Sequence, residues 1–180
     1  MNRVIFIAGW KQKEHPHLHN TFHIGDQLIS INENHFESAS EARNFIKYSH
    51  TSSLNFVVRR TPFGRVFCLI RTEPSDDTLG IVRDGGTAKI LHITPNSSAS
   101  KAGLHPYCEV YEADEDGQSI WCLTEINNRP LNFFFKSNEI SGRLNAIGRE
   151  VSVLVQPYNF VRKMRKQLKT YSNYKDYIVQ

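Results

Sequence analysis

Cysteine is scarce. The 180 residues contain three, Cys68, Cys108 and Cys122. The number is odd and no pair has CxxC spacing, which argues against a disulfide framework and suits a reducing compartment. No neighbouring His or Lys spacing suggests an activated thiol. Long apolar runs are also missing. The apolar opening, Met1 to Trp10, is too short for a signal-peptide core or a membrane span, so a cytoplasmic protein is expected. There is no Gly-x-Ser-x-Gly elbow, and Gly85-Gly86-Thr87 lacks the lysine that grips phosphate in a Walker loop. No catalytic residue and no cofactor are therefore assigned, and an enzyme is not expected. His15, His17, His19 and His23 crowd one segment. Zinc would need a tetrahedral set, preferably with cysteine, and none lies nearby, so no metal site is assigned.

What is present describes a globular protein with room for one large domain or two small ones: 39% hydrophobic and 22% charged residues. The net charge of +4 is unevenly spread. From Gln156 to Gln180, six basic residues stand against one acidic, a net +5, leaving the other 155 residues at −1, with 16 against 17. The basicity belongs to the tail, through Arg162, Lys163, Arg165, Lys166 and Lys169. Nucleic-acid binders more often carry charge along a groove with interleaved aromatics, so nucleic acid is not expected as a partner. An anionic membrane surface or an acidic partner fits such a tail.

Strand-like runs dominate the chain. Arg3 to Ile7, Asp26 to Asn32, Leu54 to Arg59, Arg65 to Arg71, Gly80 to Asp84, Thr87 to Ile93, Trp121 to Ile126 and Val151 to Gln156 read as strands. Ser38 and Glu41 have the form of a capping box, starting a helix to Tyr48 with Ala42, Phe45 and Ile46 facing inward. Pro95 to Gly103 reads as a short helix capped by Asn96 or Ser97. Ser137 to Ile147 reads as another, with Ile140, Leu144 and Ile147 at i, i+4, i+7. Asn159 to Leu168 reads as a terminal basic helix, weighed against a solvated, frayed end. Glu73 to Asp77 reads as a turn, and the acidic stretch Glu109 to Gly117 as a solvated loop. The fold class expected is α+β, mainly β.

The chain also repeats. Leu28 to Asn32 matches Leu123 to Asn127, and Phe56 to Pro62 matches Val151 to Pro157, both at an offset of 95, while Val4 to Ile7 resembles Ile90 to Ile93. One supersecondary unit occurs twice. Only the second copy has a counterpart of Thr78-Leu79-Gly80-Ile81, an apolar–Gly–apolar turn of the kind whose backbone N–H groups can hold an anion.

These elements resemble a PDZ tandem. The features that carry the likeness are Leu79-Gly80-Ile81 before a strand, Leu123 to Asn127, the helix from Ser137, the Val-rich strand Val151 to Val155, and Gly25 to Asn32 in the first copy. The short link Arg59 to Gly64 and the helical tail are similar to cytosolic adaptors of the syntenin and Mint type. The resemblance implies two PDZ-like, partly open β-barrels with capping helices: a partial unit at 1–62 without its first two strands, a complete one at 63–157, and a basic helical tail at 158–180. It implies a scaffold, peripheral at membranes, that binds the C-terminal tails of membrane or signalling proteins; the basic tail carries the alternative, a phosphoinositide or membrane-surface binding module in which the peptide groove is vestigial. The peptide would add as a strand, its carboxylate on the N–H groups of Leu79, Gly80 and Ile81, in a groove bordered by Val82, Arg83, Ser137, Ser141 and Leu144. Ser137 stands where the commonest ligand class is read by histidine.

Overall fold

The computed structural model describes residues 4–72, 79–108, 119–134, 137–146 and 148–177. The fold is α+β, mostly sheet with four helices. Three antiparallel strands form the first sheet, in the order β1 (Ile5–Phe6), β2 (Gln27–Ile31), β3 (Phe56–Arg59). Helix α1 (Ala39–Tyr48) lies between β2 and β3 in sequence. The next sheet has the order β4 (Arg65–Ile70), β10 (Glu150–Pro157), β8 (Ser119–Ile126), β7 (Tyr107–Cys108), with β9 (Arg129–Pro130) also on β8. Strands β5 (Ile81–Arg83) and β6 (Ile90–Ile93) form a separate pair, tied to β8 by a bridge between Lys89 and Cys122. The remaining helices are α2 (Ser98–Lys101), α3 (Ser137–Leu144) and α4 (Tyr158–Leu168).

The central strands are nearly continuous in burial because both faces are covered. Alternate side chains of β8 serve different cores: Trp121 and Leu123 join Leu79, Ile81, Ile140, Leu144, Val151 and Val153, whereas Cys122 joins Trp10, Phe22, Ile24, Phe160 and Met164. Burial pushes the Cys122 thiol up to about 12, so it stays protonated and inert. A ring cluster of Phe6, Phe63 and Phe160, with centroids 4.8–5.9 Å apart, joins β1, the β3–β4 link and α4.

Several local expectations hold with small changes. Ser97 caps α2, accepting from Ser100 N at 3.2 Å, and the helix stops before Gly103 at φ +80°. Ser38 caps α1 through Glu41 N at 3.2 Å, but the return bond differs from a capping box: Glu41 accepts from Glu37 N at 3.0 Å, one residue earlier. On α1 only Ala42 is buried. Phe45 meets Phe36 in a tilted ring contact at 5.3 Å, and Ile46 is exposed. The polar stretch after Trp10 holds a 3-10 turn, Pro16–Asn20. Ile147, Thr78, the turn at Glu73 to Asp77 and the acidic loop at Glu109 to Gly117 lie outside the described residues.

The repeat is visible in backbone detail, and its offset needs correcting. In β2 the pairing to β3 slips past Ile29, and in β8 the pairing to β10 slips past Thr124, 95 positions on. Each strand ends in a left-handed pair, Asn32-Glu33 or Asn127-Asn128. Each Asn side chain accepts from the return strand: Asn55 N to Asn32 Oδ1 at 2.7 Å, and Ser152 N to Asn127 Oδ1 at 3.0 Å. Ile31 faces Phe56, but Ile126 faces Val153. The return strands therefore correspond at 97, so the second copy has two more residues between its anchors.

Candidate functional site

Strand β5 pairs with β6, and its Arg83 reaches Ser141 of α3. The turn leading into β5 is left-handed at both Leu79 (φ +54°) and Gly80 (φ +83°). Its carbonyls are tied down: Leu79 O accepts from Ala99 N at 3.0 Å and Gly80 O from Thr94 N at 2.9 Å. In a trans peptide the N–H is opposed to the C=O, so the N–H groups of Gly80 and Ile81 point away from these partners. Gly80 has no room for a side chain, since a Cβ would sit 2.0 Å from Ser97 Oγ. Leu79, Ile81 and Leu144 meet in one buried cluster. Val82, on the opposite face of β5, is exposed. Arg83 spans the gap: Nη2 donates to Ser141 Oγ at 2.8 Å, and Nη1 to Thr87 O at 2.9 Å. Burial lowers the Arg83 guanidinium pKa. The structure thus brings together Leu79, Ile81, Arg83, Ser141 and Leu144. Ser137 begins α3.

A second constellation lies where the first sheet meets β8 and β10. His23 Nδ1 lies 2.7 and 2.8 Å from the two carboxylate oxygens of buried Glu125. Asp26, fully buried, accepts from His23 N at 2.9 Å, from Thr61 N at 3.0 Å and from the Arg60 guanidinium. Gln156, also fully buried, donates to Ile24 O at 2.7 Å and Thr124 Oγ1 at 2.9 Å. His23, Arg60, Thr61, Glu125, Asn128 and Ser152 line a cleft of about 210 Å³. None of these pairings was anticipated from sequence; the one available signal was a polar Gln156 ending an apolar strand. His19 and His23, four residues apart, turn Nδ1 to different partners, Pro16 O and Glu125. His19 Nδ1 contacts Pro16 O at 2.7 Å, and His23 lies beyond the 3-10 turn.

The hydrogen bond that the protonated His23 ring donates to Glu125 raises its pKa from the ordinary 6.5, outweighing burial. A raised folded-state value means the stabilisation is full below 6.5 and is lost as pH rises through the folded value. His23→Ala is therefore expected to cost more at pH 6 than at pH 9, by about 1 kcal/mol after allowing for solvent screening of the half-buried ring. Urea unfolding at both pH values measures this. An equal cost at the two would show that the pair carries no charge-dependent stability.

Helix α4 docks through Phe160, Val161, Met164 and Leu168, which excludes a frayed, solvated end. Arg162, Lys163, Arg165, Lys166 and Lys169 are exposed. Arg165 and Lys169 lie 4.9 and 5.2 Å from the Phe134 ring centre. The segment beyond returns to the first sheet's side: Arg43 of α1 sits 4.2 Å from the Tyr171 ring centre, and Tyr177 O packs against Gly9. Among the described residues no helix is long and apolar enough to cross a membrane. Compared with protein-family models and with curated proteins, the chain matches none.

Proposed function

We propose that this chain is a non-enzymatic tandem PDZ-type adaptor, cytoplasmic and peripheral at membranes, with a partial unit at 1–62 and a complete one at 63–157. The second unit captures C-terminal tails of partner proteins by strand addition. The observation that carries this is strand β5. Among the described residues it pairs with β6 alone, follows the left-handed Leu79-Gly80 turn, and reaches α3 through Arg83 and Ser141. An extended peptide laid there gains main-chain bonds from β5, and its terminal carboxylate meets the N–H groups of residues 79–81. Leu79, Ile81 and Leu144 favour an apolar last side chain, which requires them to part as it enters.

A screen of random peptides with free carboxyl ends, repeated with amidated ends, tests the proposal. Loss of binding on amidation is expected; binding indifferent to amidation sinks the carboxylate site.

A second function, binding to phosphoinositide or other anionic lipid, is favoured by one observation. The five tail cations are exposed, four on α4 and Lys169 at its C-cap, and the helix's apolar face is already occupied by the protein. Each basic residue near such a surface contributes about 1 kcal/mol. Charge reversal at Arg162, Lys163, Arg165 and Lys166 is expected to remove sedimentation with anionic vesicles while leaving peptide capture intact. If the reversal removed all association, and free-carboxylate peptides bound no better than amidated ones, lipid binding would be the primary activity.

A further inference from the structure

We infer that Arg83 is a gate across the peptide groove and selects targets with an acidic side chain at the third residue from the end. This rests on the peptide-capture proposal. Side chains alternate along a strand, so Ile81 and Arg83 share one face of β5. Ile81 belongs to the cluster that holds Leu144. Arg83, two residues on, reaches Ser141, one helical turn before Leu144. Ile81 and Leu144 thus share one buried cluster, while Arg83 and Ser141 bond directly across the two elements.

A peptide strand antiparallel to β5, with its carboxylate at residues 79–81, has the same period of two. Its last side chain falls between Ile81 and Leu144. Its third-from-last side chain falls where the Arg83 guanidinium now meets the Ser141 hydroxyl. The strand cannot enter with that bond in place, so Arg83 must find a new acceptor.

The charge pattern says which acceptor. Arg83 is half-buried, and its bonds to Thr87 O and Ser141 Oγ both go to neutral acceptors. Among the described residues no carboxylate pairs with it. A carboxylate offered by the peptide replaces a neutral hydrogen bond with a charge-assisted one that the guanidinium fork can make bidentate. An amide or hydroxyl at that position only exchanges one neutral acceptor for another, and an apolar side chain leaves the displaced cation without an acceptor. The targets are therefore peptides with an apolar last residue and Asp or Glu two positions before it.

The test uses the full chain and fluorescence anisotropy with two free-carboxylate peptides that differ only in Glu or Gln at the third-from-last residue. The Glu peptide is expected to bind about tenfold more tightly, with the advantage shrinking as salt is raised. Arg83→Gln should bring the ratio near one while binding stays sensitive to amidation, and Arg83→Lys should restore part of the preference. Circular dichroism melting shows that both variants fold. Equal affinity for the two peptides, or a preference that survives Arg83→Gln, overturns the assignment of Arg83 and leaves peptide capture standing. Failure of every free-carboxylate peptide to bind removes peptide capture and this inference together.

Discussion

Gly80→Ala is expected to destabilise the protein by about 3 kcal/mol, the sum of left-handed strain, overpacking and a disturbed helix cap. Gly80 has φ +83°, where a Cβ is unfavourable before any contact is considered. That Cβ would then lie 2.0 Å from Ser97 Oγ and 2.1 Å from Ser97 Cβ. Ser97 cannot simply turn aside, because its hydroxyl caps α2 through Ser100 N. Relief would have to come from the backbone. The turn carbonyls are bonded to Thr94 N and Ala99 N, and the neighbouring Leu79 is fully buried. Gly85→Ala is the control. Gly85 is also left-handed, at φ +51°, but a Cβ there meets nothing within 4 Å, so only about 1 kcal/mol of conformational cost is expected. Urea unfolding of both variants against wild type measures the difference. Equal losses would mean that the turn does not pack on Ser97 as closely as described. Because Gly80→Ala loosens the turn itself, peptide capture should weaken along with the fold.

Elements with a local cause were legible in the sequence. Ser97 followed by an Ala-containing turn and Gly103 marked α2. The i, i+4 spacing of Ile140 and Leu144 marked the buried face of α3, and the runs around Trp121 and Val153 marked the two central strands. Each rests on capping or periodicity within a dozen residues. Leu79, Ile81, Arg83, Ser141 and Leu144, which the structure brings together, were also named from sequence, through the repeat and the PDZ resemblance. The Arg83–Ser141 bond was not, since it depends on how far α3 stands from β5. His23 and Glu125 are 102 residues apart, and nothing near either one signals the other. The two-residue difference between copies was hidden because valines recur along both return strands, so Val151 and Val153 match equally well by eye. In α4, four basic residues, with Lys169 just beyond the end, interleave with Phe160, Val161, Met164 and Leu168. Their i, i+1, i+4, i+8 spacing is a docking face.

Asp26→Ala is expected to cost about 3 kcal/mol, because three donors lose one buried acceptor at a single stroke. Asp26 is fully inaccessible, and its two oxygens are divided. Oδ1 accepts from Thr61 N, while Oδ2 accepts from His23 N and the Arg60 guanidinium. These donors lie on either side of the first sheet, one before β2 and two just after β3, so the carboxylate fastens the link into β4. Arg60 also bonds Thr21 O through both terminal nitrogens, at 3.2 Å, and is half exposed. It can return to water when Asp26 is removed; the backbone N–H groups of His23 and Thr61 are less free to do so. Asp26→Asn should therefore cost less, about 1–2 kcal/mol, since the amide oxygen keeps one acceptor while the charge is lost. A double-mutant cycle of Asp26→Asn with Arg60→Gln separates the ion pair from the backbone bonds. A coupling of about 1 kcal/mol is expected, well short of the full loss in Asp26→Ala. Should Asp26→Ala unfold within 1 kcal/mol of wild type, the carboxylate would not be the fastening, and the contact between the first sheet and β8–β10 would rest on Gln156 and the aromatic cluster. If instead the loss is full and His23→Ala is less costly at pH 9, the junction has two separable parts. One is a permanent anchor at Asp26, and the other is a charge-dependent clasp at His23 and Glu125.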